Sequence, residues 1–215
     1  MKILGICGSG RPNGITTEVM QGILLATECE YEYITLAGKQ INGCQGCLQC
    51  VGDNVCKQQD DWNAIGQKML DADAIVFGAP NYYGIINGLA HACLERTFCF
   101  RHQENFLLAG KLGVAVGVDG WDKQTHSSRV IDYIKRVMQS NMMAIVGTVY
   151  AEGYDQCYSC GYGENCAAGG VVAKHGFLTD IRPEHCPPRF GKQAEASFQA
   201  KRTGKMLGSI LRTRV

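Results

Sequence analysis

The sequence predicts an α/β fold, a doubly wound, five-stranded parallel sheet with helices on both faces. Three observations carry this. Short apolar runs recur as far as residue 150. Segments with helical apolar spacing alternate with them. The runs are mostly apolar throughout rather than at every second position, as in strands buried on both faces.

The first strand is KILGICG (2–8), closed by glycine. A helix follows from Thr16 to Glu28, with Met20, Ile23, Leu24 and the small Thr27 on one face. EYEYITL (30–36) alternates and is rich in β-formers, giving the second strand. Asp60 or Asp61 caps a helix that carries Trp62, Ile65 and Met69 on one side. DAIVFGA (73–79) is the third strand, a helix covers roughly 88–98, and KLGVAVGV (111–118) is the fourth strand. Ser127 or Ser128 starts a helix whose apolar face is Val130, Ile131, Ile134, Val137 and Met138. MMAIVGTVY (142–150) is the fifth strand, and 192–212 reads as a last helix. All of this fits one domain spanning 1–215. Two segments break the alternation: 38–59 after the second strand, and a glycine- and cysteine-rich insertion at 151–190. Irregular segments that long are usually functional.

Composition removes several classes. A net charge of +1 gives no electrostatic drive toward nucleic acid or an anionic membrane. No stretch approaches the ~18 apolar residues of a membrane span. Twelve cysteines would suit a secreted disulfide framework, but MKILGICGSGRP has too short an apolar run for a secretory leader. A cytoplasmic location is expected, and cysteine in such a chain points to metal or redox chemistry.

In an open α/β sheet, ligands bind beyond the carboxyl ends of the strands. The first such loop, GSGRPNGITT (8–17), offers hydroxyls from Ser9, Thr16 and Thr17, the charged Arg11, and a helix N-terminus. That is phosphate chemistry. Gly8, Gly10 and Gly14 miss the dinucleotide spacing G-x-G-x-x-G by one, strand two ends in Ile34, Thr35 and Leu36 without the ribose-binding acid, and there is no P-loop lysine. A phosphate monoester such as that of FMN suits the loop better; simple helix capping would leave Arg11 and the glycines unexplained. The third-strand loop APNYYGIING (79–88) presents Tyr82 and Tyr83 as flat faces for a ring. VDGWDKQTH (118–126) closes a third side through Asp119 and Gly120, with Trp121 as lid or packing residue.

S9-G10-R11-P12-N13-G14-I15-T16 resembles the S-x-R-x-x-G-x-T phosphate loop of the NADPH-dependent FMN reductase group of flavodoxin-like proteins. P80-N81-Y82-Y83-G84 resembles that group's second FMN loop. With a compact cysteine loop after strand two, the chain resembles the iron–sulfur flavoproteins of anaerobic microbes, over roughly 1–150 and the last helix. The resemblance implies a flavodoxin-like sheet of order 2-1-3-4-5, FMN, a 4Fe–4S cluster, a homodimer or homotetramer, and electron transfer. It places FMN on Ser9, Arg11, Asn13, Gly14, Ile15, Thr16, Pro80, Asn81, Tyr82, Tyr83 and Gly84, to which loop position adds Thr17, Asp119 and Gly120. Ile15, where many relatives carry asparagine, and the 151–190 insertion depart from the pattern.

Cys44, Cys47, Cys50 and Cys56 form C-x2-C-x2-C-x5-C. Four thiolates on a flexible loop suit a 4Fe–4S cluster; tetrahedral zinc, usually built from two separated knuckles, and free thiols are the rivals. Cys157, Cys160, Cys166 and Cys186 form a second group, with His175 and His185 as alternatives, for which a second cluster, zinc and plain thiols all stay open. Cys7, Cys29, Cys93 and Cys99 read as small hydrophobes. His91 and His102 read as structural or solvent-facing, and His126 approaches the flavin region by position only. No Ser/His/Asp set or carboxylate pair suggests another catalyst, so the chemistry is flavin-centred. The expected function is an oxidoreductase passing electrons between a one-electron donor such as ferredoxin and a small-molecule or protein acceptor. The alternatives are an NAD(P)H-dependent FMN or quinone reductase with structural zinc, and a non-catalytic zinc-stabilised interaction module.

Overall fold

A computed structural model describes residues 1–120, 126–154 and 156–214, with the side chains of 126–128 also outside the described set. Trp121, and the side chains of His126, Ser127 and Ser128, therefore lie outside the described residues.

The strands are β1 (Ile3–Cys7), β2 (Tyr31–Thr35), β3 (Ala74–Tyr82), β4 (Ile85–Ile86), β5 (Leu112–Asp119) and β6 (Ala144–Glu152). The sheet runs β2-β1-β3-β5-β6, all parallel, with β4 pairing antiparallel to the end of β3. The expected order holds for the five long strands; the correction is a sixth strand, the two-residue β4, folded back from a segment read as loop. The turn explains it. Tyr83 and Gly84 both take positive φ, 55° and 84°, as the two central residues of a type I′ hairpin turn do.

Alternate residues of each strand face opposite layers. Ile3, Val76 and Val114 join α1 (Ile15–Ala26) and α6 (Ala194–Arg212) in one core. Leu4, Phe77 and Ala115 join α2 (Trp62–Asp71), α3 (Gly88–Glu95) and α4 (His126–Ser140) in the other. The helix expected over 88–98 ends as α-helix at Glu95 and tightens into a 3₁₀ turn, Arg96–Arg101. The 151–190 segment is less irregular than expected: β6 runs to Glu152, and a short α5 covers Gly170–His175. Its far end returns to the body where Arg189 pairs with Glu18 and the Phe190 N–H donates to Glu18 at 3.1 Å.

Candidate functional site

The carboxyl ends of β1, β3, β5 and β6 open into one cavity of about 640 Å³. The β1–α1 loop supplies Ser9, Arg11, Gly14, Ile15 and Thr16 to its wall. Ser9 is buried and its hydroxyl accepts the Arg11 N–H at 3.0 Å, which curls the loop. Gly14 precedes α1 without a side-chain cap, so the first-turn N–H groups and the positive end of the helix dipole are available to an anion.

The opposite wall is the β3–β4 hairpin, Pro80 to Gly84. Asn81 donates from Nδ2 to the buried Asp119 at 3.0 Å, while its Oδ1 is buried with no hydrogen-bond partner among the described residues. Tyr83 stands fully exposed at the tip. Asp119 and Gly120, ending β5, close the third side as expected.

Twelve of the fourteen expected positions line this cavity; Asn13 and Thr17 fall outside its lining. Asn13 points to the surface. Thr17 is buried, donating to Pro12 O at 2.8 Å and accepting from Tyr33 Oη at 3.1 Å. It braces the loop from behind.

The insertion, which follows the last long strand at the ligand end of the sheet, supplies a roof. Tyr154, Gln156, Cys157, Ala168 and Gly170 line the cavity, as does Arg129 of α4. The Arg11 guanidinium lies 5.9 Å from the centre of the Tyr154 ring, tying loop to roof.

The cysteine loop is a separate site. Cys44, Cys47, Cys50 and Cys56 face one small cavity of about 20 Å³, which shares no lining residue with the larger one. Its floor is Arg96, Phe98 and Cys99 of the 3₁₀ turn. Arg96 is almost wholly buried and donates in four directions: from Nε to Cys56 Sγ (3.2 Å), from Nη1 to Asn42 O (3.1 Å) and Asp60 Oδ2 (2.7 Å), and from Nη2 to Asn63 Oδ1 (3.3 Å). Its guanidinium also stacks 5.0 Å from the Trp62 ring centre. Burial works against the Arg96 charge, but the bonds to Asp60 and Cys56 more than offset it. Burial likewise pushes the Cys50 thiol up, with the neighbouring thiols Cys56, Cys44 and Cys47 adding to the shift.

His102, read from the sequence as structural or solvent-facing, places Nε2 3.0 Å from Cys50 Sγ. Its backbone N–H is bonded by Asn54 Oδ1 at 2.9 Å. Cys99 is buried as expected, with its thiol pushed up to about 12 by burial and then by Cys56 and Cys50, yet it also borders the loop cavity. Among the described residues, no group of three or more His, Cys, Asp or Glu side chains stands in an arrangement that holds a metal ion. Among the same residues, no helix is long and apolar enough to cross a membrane.

The family model for NADPH-dependent FMN reductase matches residues 1–156. An iron–sulfur flavoprotein of Methanocaldococcus jannaschii is 35% identical over 150 residues, 68% of this chain and 76% of that protein. The iron–sulfur flavoprotein of Methanosarcina thermophila is 31% identical over 150 residues, 68% of this chain and 78% of that protein. The chain belongs to the iron–sulfur flavoproteins of the NADPH-dependent FMN reductase family.

The fold agrees. RosB, solved with a bound 8-demethyl-8-formylriboflavin-5′-phosphate intermediate, superposes with a TM-score of 0.68 at 14% identity, over 99% of this chain and 79% of that one. A flavone reductase superposes at 0.61 and 19%, over 99% and 63%. At these identities the likeness is one of flavodoxin-like fold. In this iron–sulfur flavoprotein the family match ends at residue 156, so Tyr154 and Gln156 of the roof fall within it and Cys157, Ala168 and Gly170 lie beyond it.

Proposed function

We propose that this iron–sulfur flavoprotein binds FMN in the large cavity and a 4Fe–4S cluster in the 44–56 loop, and works as an electron-transferring oxidoreductase. The observation that carries the reading is the cavity itself: phosphate-type donors on one wall and a two-tyrosine hairpin on the other, at the carboxyl ends of adjacent strands β1 and β3.

The residues fit the cofactor. Ser9, Arg11, Thr16 and the start of α1 would hold the phosphate. Pro80 to Gly84, Asp119 and Gly120 would frame the ring, and Asn81 Oδ1, unpartnered among the described residues, is an acceptor suited to a ring N–H. Bound FMN supplies a centre that takes up one or two electrons, whereas a cluster exchanges one at a time. The roof of Tyr154 and Gln156 would limit water at the ring.

The cysteine loop fits a cluster in donor type. Four thiols share one cavity, and the Arg96 donor on Cys56 Sγ would orient that sulfur as a ligand. Cys44 and Cys47 are exposed, so the cluster would face outward. An outward cluster can meet a ferredoxin-like donor or the flavin of a neighbouring subunit, and a homodimer or homotetramer would place the second within reach. A cytoplasmic, oxygen-poor setting suits such a site.

The test is anaerobic purification followed by stopped-flow reduction. FMN and iron in the isolated protein, with flavin bleached by reduced ferredoxin and Cys44→Ser/Cys47→Ser keeping FMN while losing iron and that rate, is the expected result. Rapid reduction by NADPH in a protein with zinc and no iron would establish the NAD(P)H-dependent reductase instead. A colourless zinc protein without flavin would establish the interaction module.

A further inference from the structure

We infer that the 151–190 insertion holds a second metal centre, ligated by the thiolates of Cys157, Cys160, Cys166 and Cys186, in the roof of the flavin cavity. The centre stands on the insertion's own residues; its partnership with a flavin rests on the function proposed above.

Four observations converge. The first is spacing: C-x2-C-x5-C with one later cysteine supplies a knuckle and two further soft donors. The second is that two of the sulfurs are held in place by the backbone. Cys157 Sγ accepts the Gly170 N–H at 3.2 Å, and Cys160 Sγ accepts the Tyr162 N–H at 3.4 Å. A backbone N–H on sulfur fixes where that sulfur points, as outer partners of a metal ligand do.

The third is convergence. Cys166 packs on Gly169, with its Sγ 3.4 Å from where a Cβ there would stand, next to the Gly170 that bonds Cys157. Gly163 comes so close that a Cβ would sit 1.9 Å from Cys157 O. Cys186 follows a histidine that packs on this lobe, although the four side chains are not closed into a ligand shell in this structure. Tyr158 Oη is 3.1 Å from His175 Nε2, and the His175 ring lies 5.4 Å from that of His185, the residue before Cys186. One nitrogen of each imidazole is thereby engaged, since His185 Nδ1 accepts the Arg182 N–H at 3.0 Å. The thiols are left as the soft donor set, which selects zinc or iron–sulfur.

The fourth is place. Cys157 itself lines the flavin cavity. Cys44 to Cys56 follow β2 and pack against Arg96, Phe98 and Cys99, and the insertion leaves β6 at the other edge of the sheet. The cavity would have one centre bordering its roof and another held on a different loop.

The experiment is iron, acid-labile sulfide, zinc and FMN per chain in anaerobically purified parent protein, Cys160→Ser/Cys166→Ser and Cys44→Ser/Cys47→Ser. Neither Cys160 nor Cys166 lines the cavity. Two clusters predict about eight irons in the parent and about four in each variant. About four irons and one zinc in the parent, with only the zinc lost in Cys160→Ser/Cys166→Ser, establishes the centre as tetrahedral zinc. Unchanged metal in that variant overturns it. A check on the parent needs no variant: in native protein Cys160, exposed as a free thiol, should resist iodoacetamide until a chelator strips the metal. Immediate alkylation also overturns the centre. Loss of FMN alone would sink the function proposed above and leave this result standing; FMN retained with metal unchanged would do the reverse.

Discussion

The two cysteine-rich segments leave opposite edges of the sheet and are held in opposite ways. The 44–56 loop is pinned from beneath by one buried guanidinium that reaches Cys56, Asn42, Asp60 and Asn63, and Cys50 is part of a hydrophobic core. The insertion is pinned through its own backbone, by N–H groups on sulfur and a glycine pressed against Cys157 O, and by Glu18 at its far end. A loop tied to a core by a charge stands or falls with that core. A lobe tied by its own backbone can fail without taking the sheet with it.

Arg96→Met should therefore produce the largest effect. It leaves the Asp60 carboxylate, whose side chain is 4% exposed, without its cation. Breaking a buried pair from one side costs about 3–5 kcal/mol. Urea unfolding of the anaerobic protein should show that loss, and iron should fall while FMN is retained in what remains folded. A variant with parent stability and full iron content would show that the guanidinium is not the anchor.

The same pair gives a pH dependence. Burial alone would raise the Asp60 carboxyl, but the donors from Arg96, Asn42 and Trp62 outweigh it and hold it below its ordinary range. A lowered folded value means the stabilisation is complete above the unfolded carboxylate value, about 3.9, and is lost as pH falls through the folded one. Asp60→Asn should flatten the acid limb of a stability–pH profile; an unchanged limb would remove Asp60 from the account.

Trp62→Phe comes next. It keeps a ring under Arg96 but deprives Cys93 O of the Trp62 Nε1 donor at 2.7 Å. A buried acceptor left unpaired costs about 1–3 kcal/mol, read as a lower urea midpoint at unchanged slope. Gly163→Ala tests the other segment. Overpacking against Cys157 O should cost about 1–3 kcal/mol, confined to the lobe. Limited proteolysis should cut within 151–190 while the sheet's unfolding midpoint stays put; a matching fall in that midpoint would show the lobe and sheet to be one unit.

How much of this was legible follows from the physics of each part. The long strands are apolar runs whose burial on both faces writes itself into the sequence, and the phosphate loop carries its donors within a few consecutive residues. Arg96 was not legible. In CLERTFCF it looks like one charge among core positions, and only the three-dimensional return of the 38–59 loop makes it a hub. His102 is hidden for the same reason. β4 was hidden because its turn places a tyrosine at positive φ, where turn chemistry leads one to look for asparagine, aspartate or glycine. The roof residues Tyr154, Gln156 and Cys157 depend on the path of an insertion with little periodicity to read.

That tyrosine makes the smallest stability effect and the sharpest contrast with Arg96. Tyr83 is fully exposed, lines the cavity, and sits at φ 55°. A left-handed conformation costs a side-chain-bearing residue roughly 1–2 kcal/mol, and solvent exposure returns little. Backbone strain at an exposed position bordering a cavity points to a role in binding rather than folding. Asparagine tolerates that conformation better. Tyr83→Asn should thus leave the urea midpoint unchanged or slightly raised, by no more than about 0.5 kcal/mol, while FMN dissociates more readily on dilution or dialysis. If flavin retention is unaffected, the hairpin tip is not a wall of the flavin site, and its strain must be sought in a contact with another subunit or partner.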